Sequence, residues 1–221
     1  MFFHDRREAG RLLAGAVSEQ VDLGEDPNGA IVLALPRGGV PVGFALAREL
    51  RLPLDVLVVR KLGVPGQEEL AMGAIASGGI LVIQPDVVHA LGIPQSTIDA
   101  VAARERLEIE RRELAWRAGR APVRLPGRTA ILVDDGLATG STMRAAVRAL
   151  RSLEAGSAPR RIVVAVPVAA RATCDELARE ADQLVCLYTP ELFHAVGEFY
   201  RNFDQTSDEE VGALLAMPTE I

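Results

Sequence analysis

The sequence predicts an α/β protein built on a doubly wound, mostly parallel five-stranded sheet. Short, wholly apolar runs alternate with longer amphipathic segments, which is typical of buried parallel strands connected by helices. The apolar fraction of 49% and the charged fraction of 24% are those of an ordinary globular protein. A chain of 221 residues can enclose one core of this kind, so we expect residues 1–221 to form a single domain.

The first elements follow from local patterns. Asp5 is placed to cap a first helix, and Pro41 suits the first turn of a second helix. A turn is expected at 26–29, because aspartate, proline, asparagine and glycine all favour turns. The apolar runs at 30–35 and 54–59 are predicted to be the first two buried strands.

The middle of the chain gives weaker signals. Residues 60–96 are rich in glycine and proline, so we expect irregular structure apart from a small hairpin at 74–83. Ser96 is predicted to cap a charged helix over 97–119. The many charges of that helix indicate a solvated face or a contact within a homodimer.

The second half continues the alternation of strands and helices. Three further strands are predicted, at 129–133, 161–168 and 184–187. One helix is expected at 141–153, and Thr173 is expected to cap another that ends near residue 180. Residues 188–221 are predicted to end in a short acidic helix.

Composition excludes several classes of protein. The 24 basic and 30 acidic residues give a net charge of −6, which argues against direct binding of nucleic acid. Cys174 and Cys186 lack the spacing of metal ligands. The longest apolar run, 162–170, is too short to cross a bilayer, and the first residues are charged too early for a signal peptide. We therefore expect a cytoplasmic protein that does not bind membranes.

The most informative motif runs from 130 to 142. An apolar strand delivers two adjacent aspartates, Asp134 and Asp135, to its carboxyl end, where ligands of open α/β sheets bind. Adjacent carboxylates repel each other, but a ligand with vicinal hydroxyls, such as a ribose, would give both of them hydrogen-bond donors.

Small residues follow the two aspartates and open a helix. The amides and hydroxyls there can surround a phosphate at the positive end of the helix. The lysine of a P-loop and the glycine spacing of a dinucleotide fingerprint are both absent. The alternative is a structural turn with a hydroxyl cap. The residues of this loop, called the phosphate loop below, are Ala138, Thr139, Gly140, Ser141 and Thr142.

At these residues the chain resembles the type I phosphoribosyltransferases, which use 5-phosphoribosyl 1-pyrophosphate (PRPP). The resemblance implies that Asp134 and Asp135 hold the ribose hydroxyls and that the phosphate loop holds the 5-phosphate. It also implies Mg²⁺ as cofactor, held near the two aspartates directly or through water. The loop looks most like the adenine branch of the family. Ala138 stands where the 6-oxopurine enzymes place an aspartate, which argues against hypoxanthine–guanine chemistry.

A second match lies one strand earlier, at 35–39. The family binds pyrophosphate at this loop, so Arg37, Gly38 and Gly39 are implied as pyrophosphate ligands, with Arg37 supplying charge. Glycines permit the close approach that such a loop needs. Two glycines before a helix are also common in proteins that bind no phosphate. The loop 36–39 is called the pyrophosphate loop below.

Lys61 belongs to a third match, which covers 60–74 and resembles a group of bacterial phosphoribosyltransferases of unassigned substrate. It is the single lysine among 24 basic residues. The resemblance places it in the mobile flap of the family, as a catalytic cation next to the pyrophosphate; a surface lysine is the alternative. We expect the flap and a helical insertion to span 60–125, and a small hood to span 188–221.

The aromatic residues of the hood have two interpretations. The spacing of Phe193, Val196, Tyr200 and Phe203 favours packing, whereas the family stacks its acceptor base in the hood. The predicted activity is transfer of the phosphoribosyl group from PRPP to a small base by a homodimeric enzyme. Two alternatives are a PRPP- or nucleotide-sensing regulator without turnover and, more distantly, an amidotransferase-like partner subunit.

Overall fold

The computed structural model describes residues 2–24, 26 and 29–219. Five parallel strands form the main sheet: β1 (Ala30–Ala34), β2 (Leu54–Val56), β6 (Thr129–Val133), β7 (Arg161–Val168) and β8 (Gln183–Tyr188). Their order in the sheet is β2-β1-β6-β7-β8. The predicted α/β class and its five-stranded sheet are confirmed.

Helices cover both faces of this sheet, as a doubly wound fold requires. The four helices are α1 (Arg6–Gln20), α2 (Gly39–Leu50), α5 (Ser141–Arg151) and α6 (Arg171–Glu180). Successive side chains of β1 point to opposite faces, so Val32 belongs to the apolar cluster that includes α1 and α2, while Leu33 belongs to the one that includes α5 and α6. Because both faces are covered, the central strands are apolar at nearly every position.

The helix starts agree only in part with the sequence. Asp5 caps α1 as predicted, since its carboxylate accepts a hydrogen bond from the Glu8 N–H at 2.8 Å. Thr173 does not cap α6, which begins two residues earlier after Ala170. Of the predicted turn at 26–29, Pro27 and Asn28 lie outside the described residues, and the Gly29 N–H donates to the Asp26 carbonyl at 2.8 Å.

A second sheet replaces the irregular structure expected after residue 59. Its three antiparallel strands are ordered β3-β4-β5 and comprise β3 (Val59–Val64), β4 (Gln67–Ala76) and β5 (Ile80–Ile83). The expected hairpin at 74–83 corresponds to β4 and β5. Glycines fall at the turns between the strands, with positive φ at Gly66, Gly78 and Gly79, so these glycines mark turns within a sheet.

The predicted strand at 54–59 is divided between the two sheets. β2 ends at Val56, and the apolar run continues through Leu57 and Val58 to the start of β3. The Leu57 N–H still bonds β1, at the Ala34 carbonyl, whereas the Val58 N–H donates to the Ser77 hydroxyl beside the second sheet. A buried apolar run therefore does not by itself show where one strand ends and the next begins.

Two helices follow the second sheet, and only the second of them was expected. The unexpected helix is α3 (Pro85–Leu91). α4 (Gln95–Arg117) corresponds to the charged helix, but Pro94 rather than Ser96 is its N-cap residue. Its buried side, which includes Ile98 and Trp116, packs with β3 and β4 and with α7 (Asp208–Ala216). Within the described ranges, no helix has the length and apolarity needed to span a membrane.

A buried ion pair fixes the end of α4 against the main sheet. The Arg117 Nε donates to Asp55 Oδ1 at 2.9 Å, and its Nη2 group donates to the Val56 carbonyl at 3.0 Å. The Val123 N–H donates to Asp55 Oδ2 at 3.0 Å. Both side chains are less than a tenth exposed, at 9% for Arg117 and 8% for Asp55.

We expect Asp55→Ala to lower the free energy of unfolding by about 3 kcal/mol, because it leaves Arg117 buried without its main partner. Urea unfolding followed by circular dichroism measures this. Glu108→Ala is the control, since Glu108 pairs with Arg111 and Arg112 on the solvent side of α4 and should matter little. Equal losses in the two variants would contradict the assignment of Asp55 as a structural anchor.

Candidate active site

The two aspartates lie at the carboxyl end of the central strand β6. The Asp135 N–H donates to Asp134 Oδ1 at 2.9 Å, so the backbone itself orients the first carboxylate. Burial, and then the charge of Asp135, raise the pKa of Asp134 well above its usual range. Burial also raises the pKa of Asp135, while Arg6 opposes that rise. Asp134 and Asp135, called the acid pair below, are an electrostatically costly arrangement without a ligand.

The pyrophosphate loop packs directly against the acid pair. A Cβ on Gly38 would collide with the carboxylate of Asp135, and one on Gly39 would lie 2.7 Å from the Val133 carbonyl oxygen. Only glycine fits at these two positions, because the obstacles are backbone and a confined carboxylate. The peptide bond between Pro36 and Arg37 is cis. The pyrophosphate loop and the acid pair thus meet at the carboxyl ends of the strands, as the sequence predicted.

Hydrogen bonds to β7 and α6 hold the phosphate loop on one side, and its other side faces solvent. The Leu137 N–H donates to the Val168 carbonyl at 2.9 Å, and the Thr173 hydroxyl donates to the Ala138 carbonyl at 2.6 Å. Thr173 therefore supports the loop instead of capping α6. Gly140 has a φ of 65° and leaves no room for a side chain, since its Cβ would lie 2.5 Å from Thr173 Cγ2.

The solvent-facing side of the phosphate loop carries polar groups. The Thr139 and Ser141 hydroxyl oxygens lie 3.1 Å apart, and Thr142 is exposed. α5 begins at Ser141. Its N-cap residue, Gly140, has no side chain to cap the helix, and the Ser141 N–H makes only a long hydrogen bond, of 3.4 Å, to the Thr139 hydroxyl. Free N–H groups and hydroxyls at a helix start are the donors that a phosphate needs, so this geometry suits an anion.

The two predicted cations lie on different sides of the site. Lys61 is exposed on β3 and, with Ser141 and Arg144, lines a cleft of about 200 Å³ between the second sheet and α5. Arg37 instead lies near the start of α7, with its Nη1 group 3.9 Å from Asp208 Oδ1. Lys61 is therefore adjacent to the phosphate loop, and Arg37 is adjacent to α7.

The aromatic residues of the predicted hood form a packed cluster. The Phe193 and Phe199 rings lie 5.5 Å apart, and the Phe3 and Tyr200 rings lie 5.3 Å apart. The chain there forms a short 3₁₀ turn, Val196–Phe199, and Phe3 pairs with Tyr200. The packing interpretation of these aromatic side chains agrees with the structure.

Two residues contact the acid pair in ways that the sequence did not predict. The Arg6 Nε and Nη2 groups both lie 2.9 Å from Asp135 Oδ2. The Tyr200 hydroxyl donates to the Asp135 carbonyl at 2.5 Å. Arg6 is one of two consecutive arginines in the first turn of α1, and nothing in that local pattern indicates a partner 129 residues away.

Comparisons with known proteins bear on this geometry. Residues 4–203 match the family model described as a phosphoribosyl transferase domain. The chain belongs to the phosphoribosyltransferase family. A protein of Mycobacterium tuberculosis strain H37Rv, named "Putative phosphoribosyl transferase Rv0571c", is 47% identical over 213 residues, which are 96% of this chain and 46% of that protein. The chain thus spans about half the length of this relative.

Two further relatives of this chain differ in extent. The crystal structure of TT1426 from Thermus thermophilus is similar with a TM-score of 0.84 and 42% identity, covering 97% of this chain and 98% of that one. The bifunctional protein PyrR of Brevibacillus brevis is 32% identical over 129 residues, which are 56% of this chain and 69% of PyrR. The first likeness shows that the whole described fold occurs in a solved structure.

We expect Asp134→Asn to raise the melting temperature at pH 7 by a few degrees, because it removes one of two repelling charges and keeps the oxygen that accepts from Asp135. The folded-state pKa of Asp134 lies above the unfolded value, so ionisation penalises the fold at neutral pH. The gain should shrink as the pH falls below that raised pKa and vanish below the unfolded-state pKa, where the carboxyl is protonated in both states. Thermal unfolding at several pH values measures it.

Asp182 supplies a control of opposite sign. Its burial raises the carboxyl pKa, but the Arg151 side chain and the Ile162 N–H outweigh that effect and hold the pKa below its usual value. Asp182→Asn should therefore lower stability at neutral pH, with the loss vanishing in acid. A stability loss at pH 7 for Asp134→Asn would show that the acid pair is not a source of strain.

Proposed function

We propose that the protein transfers the 5-phosphoribosyl group of PRPP to a nitrogenous base and releases pyrophosphate. One observation carries this proposal: the acid pair, the pyrophosphate loop and the phosphate loop at the start of α5 converge at the carboxyl ends of the main-sheet strands. PRPP has a group for each of the three, namely a ribose diol, a pyrophosphate and a 5-phosphate. The family relationship supports the same assignment.

The acid pair would accept hydrogen bonds from the ribose hydroxyls. This would offset the main electrostatic cost of the acid pair, because each carboxylate gains a donor. The 5-phosphate would bind the amides and hydroxyls of the phosphate loop at the start of α5. The pyrophosphate would lie over the pyrophosphate loop, where Gly38 and Gly39 place no side chain in the way and Arg37 supplies charge. The Gly39 N–H would not be one of its donors, because it already bonds the Leu35 carbonyl at 3.1 Å.

Catalysis in this arrangement rests on positioning and on charge stabilisation. The bond from C1 of the ribose to the pyrophosphate oxygen breaks, and a nitrogen of the acceptor forms the new bond to C1. Positive charge develops on the ribose and negative charge on the departing pyrophosphate. Arg37 and Lys61 are the side chains proposed to offset the negative charge.

Magnesium fits this site only together with the ligand. Among the residues that the structure describes, no group of three or more histidine, cysteine or carboxylate side chains could hold a metal ion. Mg²⁺ commonly uses one or two carboxylates plus substrate oxygens, and the acid pair offers such carboxylates. Asp134 and Asp135 would hold it directly or through water, and the ion would neutralise the pyrophosphate. The acceptor base, the homodimer and the cytoplasmic location stay predictions.

A PRPP-sensing protein without turnover is the second candidate. The observation that favours it is Ala138, an exposed residue in the phosphate loop that supplies no carboxylate to assist at an acceptor. Both candidates require PRPP to bind. Release of pyrophosphate in the presence of a panel of bases separates them.

The wild-type protein should bind PRPP with millimolar Mg²⁺ in calorimetry, and ribose 5-phosphate more weakly because it lacks the pyrophosphate. Asp134→Asn combined with Asp135→Asn should abolish measurable PRPP binding, since the charged acceptors of the diol are lost. Asp175→Asn, on the exposed side of α6, is the matched control and should bind normally. An absence of PRPP binding by the wild type would refute the proposed function.

Lys61→Ala should lower kcat by about a hundredfold and change PRPP affinity little, because charge on the leaving group grows mainly in the transition state. The assay is pyrophosphate release, with an acceptor or through the slow hydrolysis of PRPP. Arg60→Ala is the neighbouring control: Arg60 is held by Glu105 at 2.8 Å and should affect stability more than turnover. Unchanged turnover in Lys61→Ala would make Lys61 an ordinary surface lysine.

A further inference from the structure

Arg6 links three parts of the molecule through one guanidinium group. Its Nε and Nη2 groups reach Asp135 Oδ2, and its Nη1 group donates to the Asp204 carbonyl at 2.7 Å. Its flat face lies over the Phe203 ring, with the central carbon 3.9 Å from the ring centroid. Only 11% of the Arg6 side chain is exposed, so this is a built contact and not a surface pair.

The contact connects the chain termini to the acid pair. Phe203 and Asp204 belong to residues 196–204, called the C-terminal segment below. Tyr200 of this segment also donates to the Asp135 carbonyl. Val196 of the same segment packs against Gly136, the residue after Asp135, because a Cβ on Gly136 would lie 2.6 Å from Val196 Cγ1. The orientation of Asp135 is thus set by the first turn of α1 and by residues 196–204 together.

Arg6 occupies only one of the four carboxylate oxygens of the acid pair. Both of its N–H groups converge on Oδ2 of Asp135, which is the oxygen nearest the Gly38 Cβ position. Within the described residues, Asp135 Oδ1 and Asp134 Oδ2 receive no hydrogen bond from another side chain. A diol could therefore bind these oxygens while Arg6 remains in place.

We propose that Arg6 is a positioning residue that holds Asp135 in the orientation required by PRPP and couples that orientation to the C-terminal segment through Phe203. The proposal rests on the proposed function, because it concerns the same ribose site. Arginine is required in this role, since a lysine ammonium cannot at once donate to Asp135, donate to Asp204 and lie flat on a ring.

The test is the affinity for Mg²⁺-PRPP, measured by calorimetry well below the melting temperature. Arg6→Ala should weaken binding by about tenfold or more, as expected for loss of charge-assisted hydrogen bonds to a buried group. Arg6→Lys should recover only a small part of that loss. Arg11→Ala, an exposed arginine on the same helix, should bind PRPP like the wild type.

A double-mutant cycle separates positioning from a general loss of structure. Phe203→Leu should weaken PRPP binding by about threefold in the wild-type background and have no further effect in Arg6→Ala, because Phe203 acts through Arg6. Arg6 also lines an open polar cavity of about 300 Å³, so a small cation can enter. Millimolar methylguanidinium should restore part of the affinity of Arg6→Ala.

The outcomes are distinct. If the wild type does not bind PRPP, the proposed function is wrong. If the wild type binds and Arg6→Ala binds equally well, or if the effects of Phe203→Leu and Arg6→Ala add, the role of Arg6 is wrong. Tighter binding by Arg6→Ala would also overturn it, because that result means that Arg6 competes with the diol. Should Arg6→Ala fail to fold, Arg6→Lys and Phe203→Leu provide the same comparison.

Discussion

Two carboxylates at the end of one buried strand impose the constraint on which the site depends. β6 is buried throughout and lies at the centre of the sheet, so Asp134 and Asp135 cannot move away from the loops beside them. The surrounding residues offset their charge or make room for it. Arg6 supplies a cation, the Asp135 amide supplies a donor, and Gly38 supplies space that a side chain would occupy. A fold selected for stability alone would place an apolar residue at either aspartate.

The chain termini are part of the site because they complete this neutralisation. Phe3 pairs with Tyr200, which brings the first turn of α1 next to the C-terminal segment. From that junction Arg6 and Tyr200 both reach Asp135, one at the side chain and the other at the backbone. α7, which follows the C-terminal segment, also approaches Arg37 through Asp208. A change in the terminal segments would therefore be transmitted to the acid pair and to the pyrophosphate loop.

Local patterns predicted the central part of the fold and the loops of the site. The strands at 129–133 and 161–168 have the predicted bounds, because parallel strands buried on both faces are apolar at nearly every position. The pattern was less informative at 54–59, where a single apolar run serves two sheets. Arg6 could not be found in this way, because its role depends on a partner that only the tertiary fold brings close. Sequence patterns thus located the loops of the candidate site, whereas the supporting contacts need the three-dimensional structure.

The separation of Lys61 from the other site residues has a physical consequence. The acid pair and both loops follow strands of the main sheet, whose hydrogen bonds fix their register. Lys61 belongs to the second sheet, and the chain passes from β2 to that sheet through only Leu57 and Val58. The second sheet packs on α4 and α5 through side chains, without a shared strand ladder. Packed side chains can slide by small steps more readily than a ladder can change register. Lys61 is accordingly held relative to the acid pair by side-chain packing alone. In the function proposed above, the charge of the ligand could therefore draw Lys61 towards the pyrophosphate.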